Sequence, residues 1–169
     1  MGSSGASGII LDLRANGGGD AEAMADVVSP FLEDGTGLGK FVDRSGASFE
    51  LFSYKKRLWP SSGALKLPIV VLTSESTSSA AEIMAAALQT NRGARVVGSE
   101  TCGCVLAIRS RHALPDGGVL DVSEFDYKTA GGVRLEGAGI KPDRIITLTR
   151  SDVYSRDDRI LESAIKLLD

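Results

Sequence analysis

Residues 68–83 read PIVVLTSESTSSAAEI. Pro68 to Thr73 is a continuous apolar run rich in β-branched residues, the pattern of a strand buried on both faces. A hydroxyl-rich stretch, Ser74 to Ser79, follows it. Helical spacing then runs from about Ala80 to Gln89. A second such unit lies upstream. Gly8 to Leu13 (GIILDL) reads as a buried strand, Arg14-Ala15-Asn16-Gly17-Gly18-Gly19 as a loop, and Asp20 as the cap of a helix over 20–33. Met24, Val27, Val28, Phe31 and Leu32 keep one face of that helix apolar. Ala94–Gly98 supplies a third buried strand.

The remainder is mostly strand. Lys40–Asp43 and Ala47–Phe52 flank Arg44-Ser45-Gly46 as a hairpin. Val105–Leu114 and Val119–Tyr127 flank Pro115-Asp116-Gly117-Gly118. Residues 54–66 are polar and irregular, Ile145–Leu148 reads as a last strand, and Asp157–Leu168 as a last helix. Strand–helix alternation followed by strand pairs predicts an α/β layered core with an antiparallel β appendage. Residues 1–7 resemble an expression leader, which leaves 8–169 as one domain cut from a longer protein.

Composition narrows the function. Lys plus Arg is 19, Asp plus Glu is 22, and the net charge is −3. That balance excludes the basic face of a nucleic-acid binder. Aromatic residues make up 5%, too few for a base-stacking platform. No apolar run reaches the ~18 residues of a membrane span. Twenty of the 169 residues are glycine, well above the ~7% average. Turns, or backbone that approaches a ligand, must account for the excess.

Two loops at strand carboxyl ends are candidate sites, since ligands gather there in open α/β sheets. The amides of Gly17–Gly19 suit a phosphate or an oxyanion, and the same triplet also suits a plain tight turn. Ser79 stands at a helix N-terminus, where a hydroxyl serves as a cap or as a nucleophile.

Five blocks in order resemble the C-terminal-processing (tail-specific) serine peptidases. They are Gly8 to Gly19, the Pro68–Thr73 strand with Thr77 to Ile83, Val96 to Gly103, Leu114 to Gly118, and Glu136 to Asp143. The resemblance implies a crotonase-like layered core, a mixed sheet flanked by helices, that cleaves polypeptides through an acyl-enzyme without a cofactor or metal. Carried over by residue, it implies Ser79 as nucleophile and the N–H groups of Ala80 and Gly19 as oxyanion donors. A glycine at 19 fits, because only a residue without Cβ admits a substrate carbonyl so close to backbone.

The sequence departs from the family at the general base. The family's lysine falls on Cys104, and the position that often supports it falls on Thr90. A thiol cannot act as a cationic acid toward a leaving amine. His112 lies about 26 Å from Cys104 along an extended strand and reads as a surface or sheet residue. Tricorn-core relatives take a histidine from upstream and a glutamate near the last signature, where Glu136 stands. Glu136 reads equally as a solvated loop carboxylate.

Cys102 and Cys104 stand too close in sequence for an unstrained disulfide and are expected to be small buried apolar groups. A zinc site is not expected. Asp12 and Arg14 are expected to support the glycine loop, and Arg109 and Arg111 to share the solvated face of a strand. Two readings of function stand: a serine-type peptidase core whose base lies outside this stretch, and a catalytically inactive peptide-binding or scaffolding module on the same fold.

Overall fold

The computed structural model describes residues 5–53, 66–155 and 157–168. Most of the polar stretch 54–66, and residues 1–4 of the leader, lie outside the described residues. The elements run β1 (Ile9–Asp12), α1 (Ala21–Val28), β2 (Gly37–Asp43), β3 (Ser48–Phe52), β4 (Ile69–Thr73), α2 (Ala80–Arg92), β5 (Arg95–Gly98), β6 (Ala107–Ala113), β7 (Val119–Lys128), β8 (Arg144–Ile145), α3 (Arg150–Tyr154) and α4 (Arg159–Ile165).

Two four-stranded sheets result. One is parallel, in the order β1-β4-β5-β8, and the other is antiparallel, in the order β3-β2-β7-β6. β4 is buried at every position because both faces of the parallel sheet are covered. Val71 and Val96 join an apolar cluster with α1, α2 and the inner positions of the antiparallel sheet, Leu38, Phe41 and Tyr127. Val70, Leu72 and Val97, on the opposite face, pack against Ile160 and Ala164 of α4. The period-2 alternation of strand side chains thus feeds two separate cores. Ala80 to Leu88 of α2 are all buried, and the alanines among them let the helix sit between the sheet and the appendage.

Ser48–Phe52 and Gly37–Asp43 form the expected hairpin, and Asp43 Oδ1 accepts the N–H groups of Ser45 and Ala47 to shape its turn. The long-range join is β2 against β7, with Phe41 opposite Tyr127. Arg109 and Arg111 are both exposed on β6 as expected, although a bulge lies between Ile108 and Arg111. Arg109 reaches Asp43, and Arg111 reaches Asp121.

Several element predictions change. α1 stops at Val28, where the sequence predicts a helix to residue 33, and Ser29–Phe31 form a 3-10 turn that contains Pro30. β8 stops at Ile145, where the sequence predicts a strand to Leu148, because its partner β5 ends at Gly98 and no further edge remains to pair. α3 arises where no element is predicted, and Thr149 and Asp152 cap each other there. α4 starts later than predicted, with Asp158 as its cap. No helix among the described residues is long and apolar enough to cross a membrane.

Arg14 ties α4 to the first loop. Its guanidinium bonds Asp12 Oδ1 at 2.9 Å and Oδ2 at 2.6 Å, and reaches Asp158 at 2.8 Å. The hydrogen bonds from Arg14 hold both carboxyls below the ordinary value of 3.8. A carboxyl lowered in the folded state stabilises fully above its unfolded pKa, and that contribution is lost as pH falls through the folded value. Thermal melts should therefore show a stability that is flat in this respect from pH 7 to about pH 4 and declines below. Arg14→Ala should lower the plateau and shrink the decline. An acid limb identical in the variant would contradict the role of this triad.

Candidate functional site

Ser79 begins α2 with φ +56° and ψ −127°. It is the one non-glycine residue with positive φ among those described. Such backbone costs about 1–3 kcal/mol and persists only where its surroundings hold it. The hold comes from three directions. The Ser79 N–H donates to Glu82 Oε2 at 3.0 Å and to the Cys104 carbonyl at 3.0 Å. The Ser78 N–H donates to the Asn16 carbonyl at 3.1 Å, and the Ser78 hydroxyl to the Gly17 carbonyl at 3.0 Å. The Thr77 hydroxyl donates to the Leu13 carbonyl at 2.8 Å. The loop after β1 and the turn after β4 are thereby laced together.

Glu82 organises the far side. It is fully buried, with 0% exposure, and its carboxyl accepts four hydrogen bonds. Oε2 takes the N–H groups of Ser79 and Cys104, at 3.0 and 2.9 Å. Oε1 takes the Thr101 hydroxyl at 2.6 Å and the Gly103 N–H at 2.7 Å. Glu136 continues the row: its Oε2 accepts Val105 N–H at 2.7 Å and Leu106 N–H at 3.2 Å. Four consecutive amides, 103 to 106, thus end on two carboxyls. The 136–140 segment packs directly on this loop. Gly137 N–H donates to the Gly103 carbonyl at 2.8 Å, and a Cβ on Gly103 would lie 2.9 Å from Gly139 N.

The predicted oxyanion donors flank the serine in sequence and in the loop beside it. Neither the Ala80 N–H nor the Gly19 N–H bonds an acceptor among the described residues, whereas the Gly18 N–H is held by Asn16 Oδ1 at 2.9 Å. The close approach itself falls on Gly18. A Cβ there would lie 2.5 Å from Ser79 Cβ and 2.7 Å from the Ser78 carbonyl, while Gly19 faces open space. At the N-terminus of α2 the helix dipole favours negative charge.

Other sequence expectations meet different outcomes. Cys102 and Cys104 are not buried thiols: both are exposed and joined by a disulfide. Gly103, at φ +67°, turns the chain so that their Cα atoms stand 5.2 Å apart, within the usual range for a bridge. Closeness in sequence does not exclude the bridge once Gly103 makes that turn. Thr90 is exposed near the C-terminal end of α2, about 16 Å along the helix from Ser79, and so does not stand beside Cys104. His112 is exposed on β6. No cluster of His, Cys, Asp or Glu fit for a metal occurs among the described residues. A cleft of about 1,070 Å³ opens at the carboxyl ends of β1 and β4, lined by Arg14, Asn16, Gly17, Ser74, Ile146 and Leu148 among others, but not by Ser79. The organising roles of Glu82, Thr101 and Asn16 were missed. For Glu82 a signal existed in the Ser-x-x-Glu spacing of Ser79 and Glu82, which marks a helix start.

The sequence model of peptidase family S41 matches residues 1–146. The chain belongs to that family. Within family S41 it is 35% identical over 167 residues to the carboxyl-terminal-processing protease of Synechocystis sp. (strain ATCC 27184 / PCC 6803 / Kazusa), covering 97% of this chain and 37% of that protein. Its fold matches the solved photosystem II D1 C-terminal processing protease with a TM-score of 0.72 at 29% identity, covering 99% of this chain and 40% of that one. It also matches the tricorn protease with a TM-score of 0.72 at 25% identity, covering 96% of this chain and 15% of that one. The chain spans about a third of the length of the curated relatives it matches.

Two substitutions test the geometry. In Glu82→Gln a carboxamide NH₂ replaces one acceptor oxygen and faces two donors, so denaturant unfolding should show a loss of about 2–3 kcal/mol. Gly18→Ala should cost about 1–3 kcal/mol more than Gly35→Ala, since Gly35 also has positive φ but meets nothing within 4 Å. Equal losses at the two glycines would contradict the close contact at Ser79.

Proposed function

We propose that the chain is the catalytic core of a tail-specific serine peptidase, with Ser79 as nucleophile and polypeptides as substrates. The observation that carries this reading is the positive φ of Ser79 at the start of α2, beside two amides that bond no acceptor among the described residues. In the proposed step, Ser79 Oγ attacks the scissile carbonyl carbon, and the carbonyl oxygen becomes an oxyanion that receives the N–H groups of Ala80 and Gly19. The hydroxyl proton passes to a general base and from there to the leaving amine. Water then hydrolyses the acyl-enzyme and restores the serine.

The base lies outside residues 8–169 in this reading. Cys104 is bonded to Cys102, so it neither takes nor returns a proton, and a histidine from upstream in the parent protein fills the role. Glu136 uses Oε2 to hold the amides of Val105 and Leu106. Its Oε1 makes no hydrogen bond among the described residues, and in this reading it orients the imidazole.

A second reading, a peptide-binding module without catalysis, is favoured by the disulfide at the position where the family resemblance places a lysine. The parent protein separates the two. Ser79→Ala should abolish peptide cleavage there, and Glu136→Gln should lower kcat about 10- to 100-fold with KM little changed. The 169-residue chain alone should turn over about 10²–10⁴-fold more slowly than the parent. Cleavage that survives Ser79→Ala would remove the peptidase reading. A rate unchanged by Glu136→Gln would remove the glutamate from it.

A further inference from the structure

We propose that Cys102–Cys104 is a thiol–disulfide exchange site that sets the order of the Ser79 turn. Both cysteines are exposed, and the bond between them closes a loop of three residues. Their place in the hydrogen-bond pattern distinguishes them from an ornamental surface bridge. The Cys102 N–H donates to the Thr77 carbonyl at 3.0 Å. The N–H groups of Gly103 and Cys104 donate to the two oxygens of Glu82. The Gly103 carbonyl accepts Gly137 N–H, and the Cys104 carbonyl accepts Ser79 N–H. The cross-linked loop therefore shares its main-chain bonds with the turn that holds Ser79 at positive φ. Among the described residues no side chain shields the pair from solvent to the point of burial, so a reductant can reach it.

The exchange partner is a dithiol. Its thiolate attacks one cysteine sulfur, the Cys102–Cys104 bond breaks and a mixed disulfide forms. The second thiol of the partner then attacks that mixed disulfide and leaves as an oxidised, cyclic disulfide. Two electrons pass from the partner to the protein, and two protons complete the thiols of Cys102 and Cys104. Opening the bridge removes a covalent restraint from the loop whose amides hold Glu82, and through Glu82 the Ser79 N–H. The consequence for reactivity rests on the peptidase reading given above, whereas the consequence for backbone order does not.

The test uses the full 169-residue chain, equilibrated with either oxidised or reduced dithiothreitol. Three quantities are read in each state: thiols alkylated by a maleimide, counted by intact mass; amide hydrogen exchange at Ser79, Gly103 and Cys104; and the rate of Ser79 labelling by a fluorophosphonate. The expected result is no alkylated thiols in the oxidised state and two in the reduced state. Exchange at the three amides should rise about tenfold or more on reduction, and labelling should slow. A Cys102→Ser/Cys104→Ser variant should match the reduced protein under both conditions. Two thiols alkylated in both states would overturn the proposal, as would exchange rates that reduction leaves unchanged. If exchange responds but Ser79 labels in neither state, the exchange site stands and its effect on Ser79 reactivity falls, while the peptidase reading is decided separately by Ser79→Ala in the parent protein.

Discussion

The carboxyl of Glu82 lies with no accessible surface where α2, the Ser79 turn and the 101–104 loop meet. A buried carboxyl is tolerable only when its lone pairs are filled. Here three main-chain amides and one hydroxyl fill them. Main-chain donors cannot swing aside as a lysine can, so their positions dictate the path of the chain around them. The unusual backbone of Ser79 follows from this: its N–H must point back at a residue one turn into its own helix and, at the same time, at the Cys104 carbonyl.

The rest of the site is built outward from that point. Glu136 takes the next two amides of the same row, and the Thr101 hydroxyl receives the Ile140 N–H at 2.7 Å while donating to Glu82. On the other side, Asn16, Gly17 and Leu13 offer carbonyls to residues 77 and 78. Ser79 is thus gripped by segments that begin at three strands of the parallel sheet, β1, β4 and β5. Such a frame flanks the amides of Gly19 and Ala80, which bond no acceptor among the described residues. Donors placed before a reaction starts need no reorganisation when charge develops, which links this packing to the acyl transfer proposed for the site.

The sequence made the frame legible where one physical signal dominates. β4 is apolar throughout because it is covered on both faces, and β1, β5, α1, α2 and the β2–β3 hairpin carry comparably clear periodicity or turn residues. Ser79 was legible as a helix start after a strand. What escaped depends on distant partners. β8 is short because β5 ends, which its own residues do not express. The bridge between Cys102 and Cys104 depends on the left-handed turn at Gly103, and that turn is set by the 136–140 segment lying against it. Glu82 looked like a helix residue with a capping spacing. Its other three partners, the Thr101 hydroxyl and the amides of Gly103 and Cys104, lie about 20 residues further on in the sequence.

Site-resolved amide hydrogen exchange of the chain, compared with that of Glu82→Gln, tests the central role of this carboxyl most directly. If Glu82 holds the serine turn and the 101–104 loop as one unit, the amides of Ser79, Gly103 and Cys104 should accelerate together in the variant. Those of Val105 and Leu106, which end on Glu136, should accelerate less. Unchanged protection at Ser79 while Gly103 and Cys104 accelerate, or equal acceleration at all five, would contradict it.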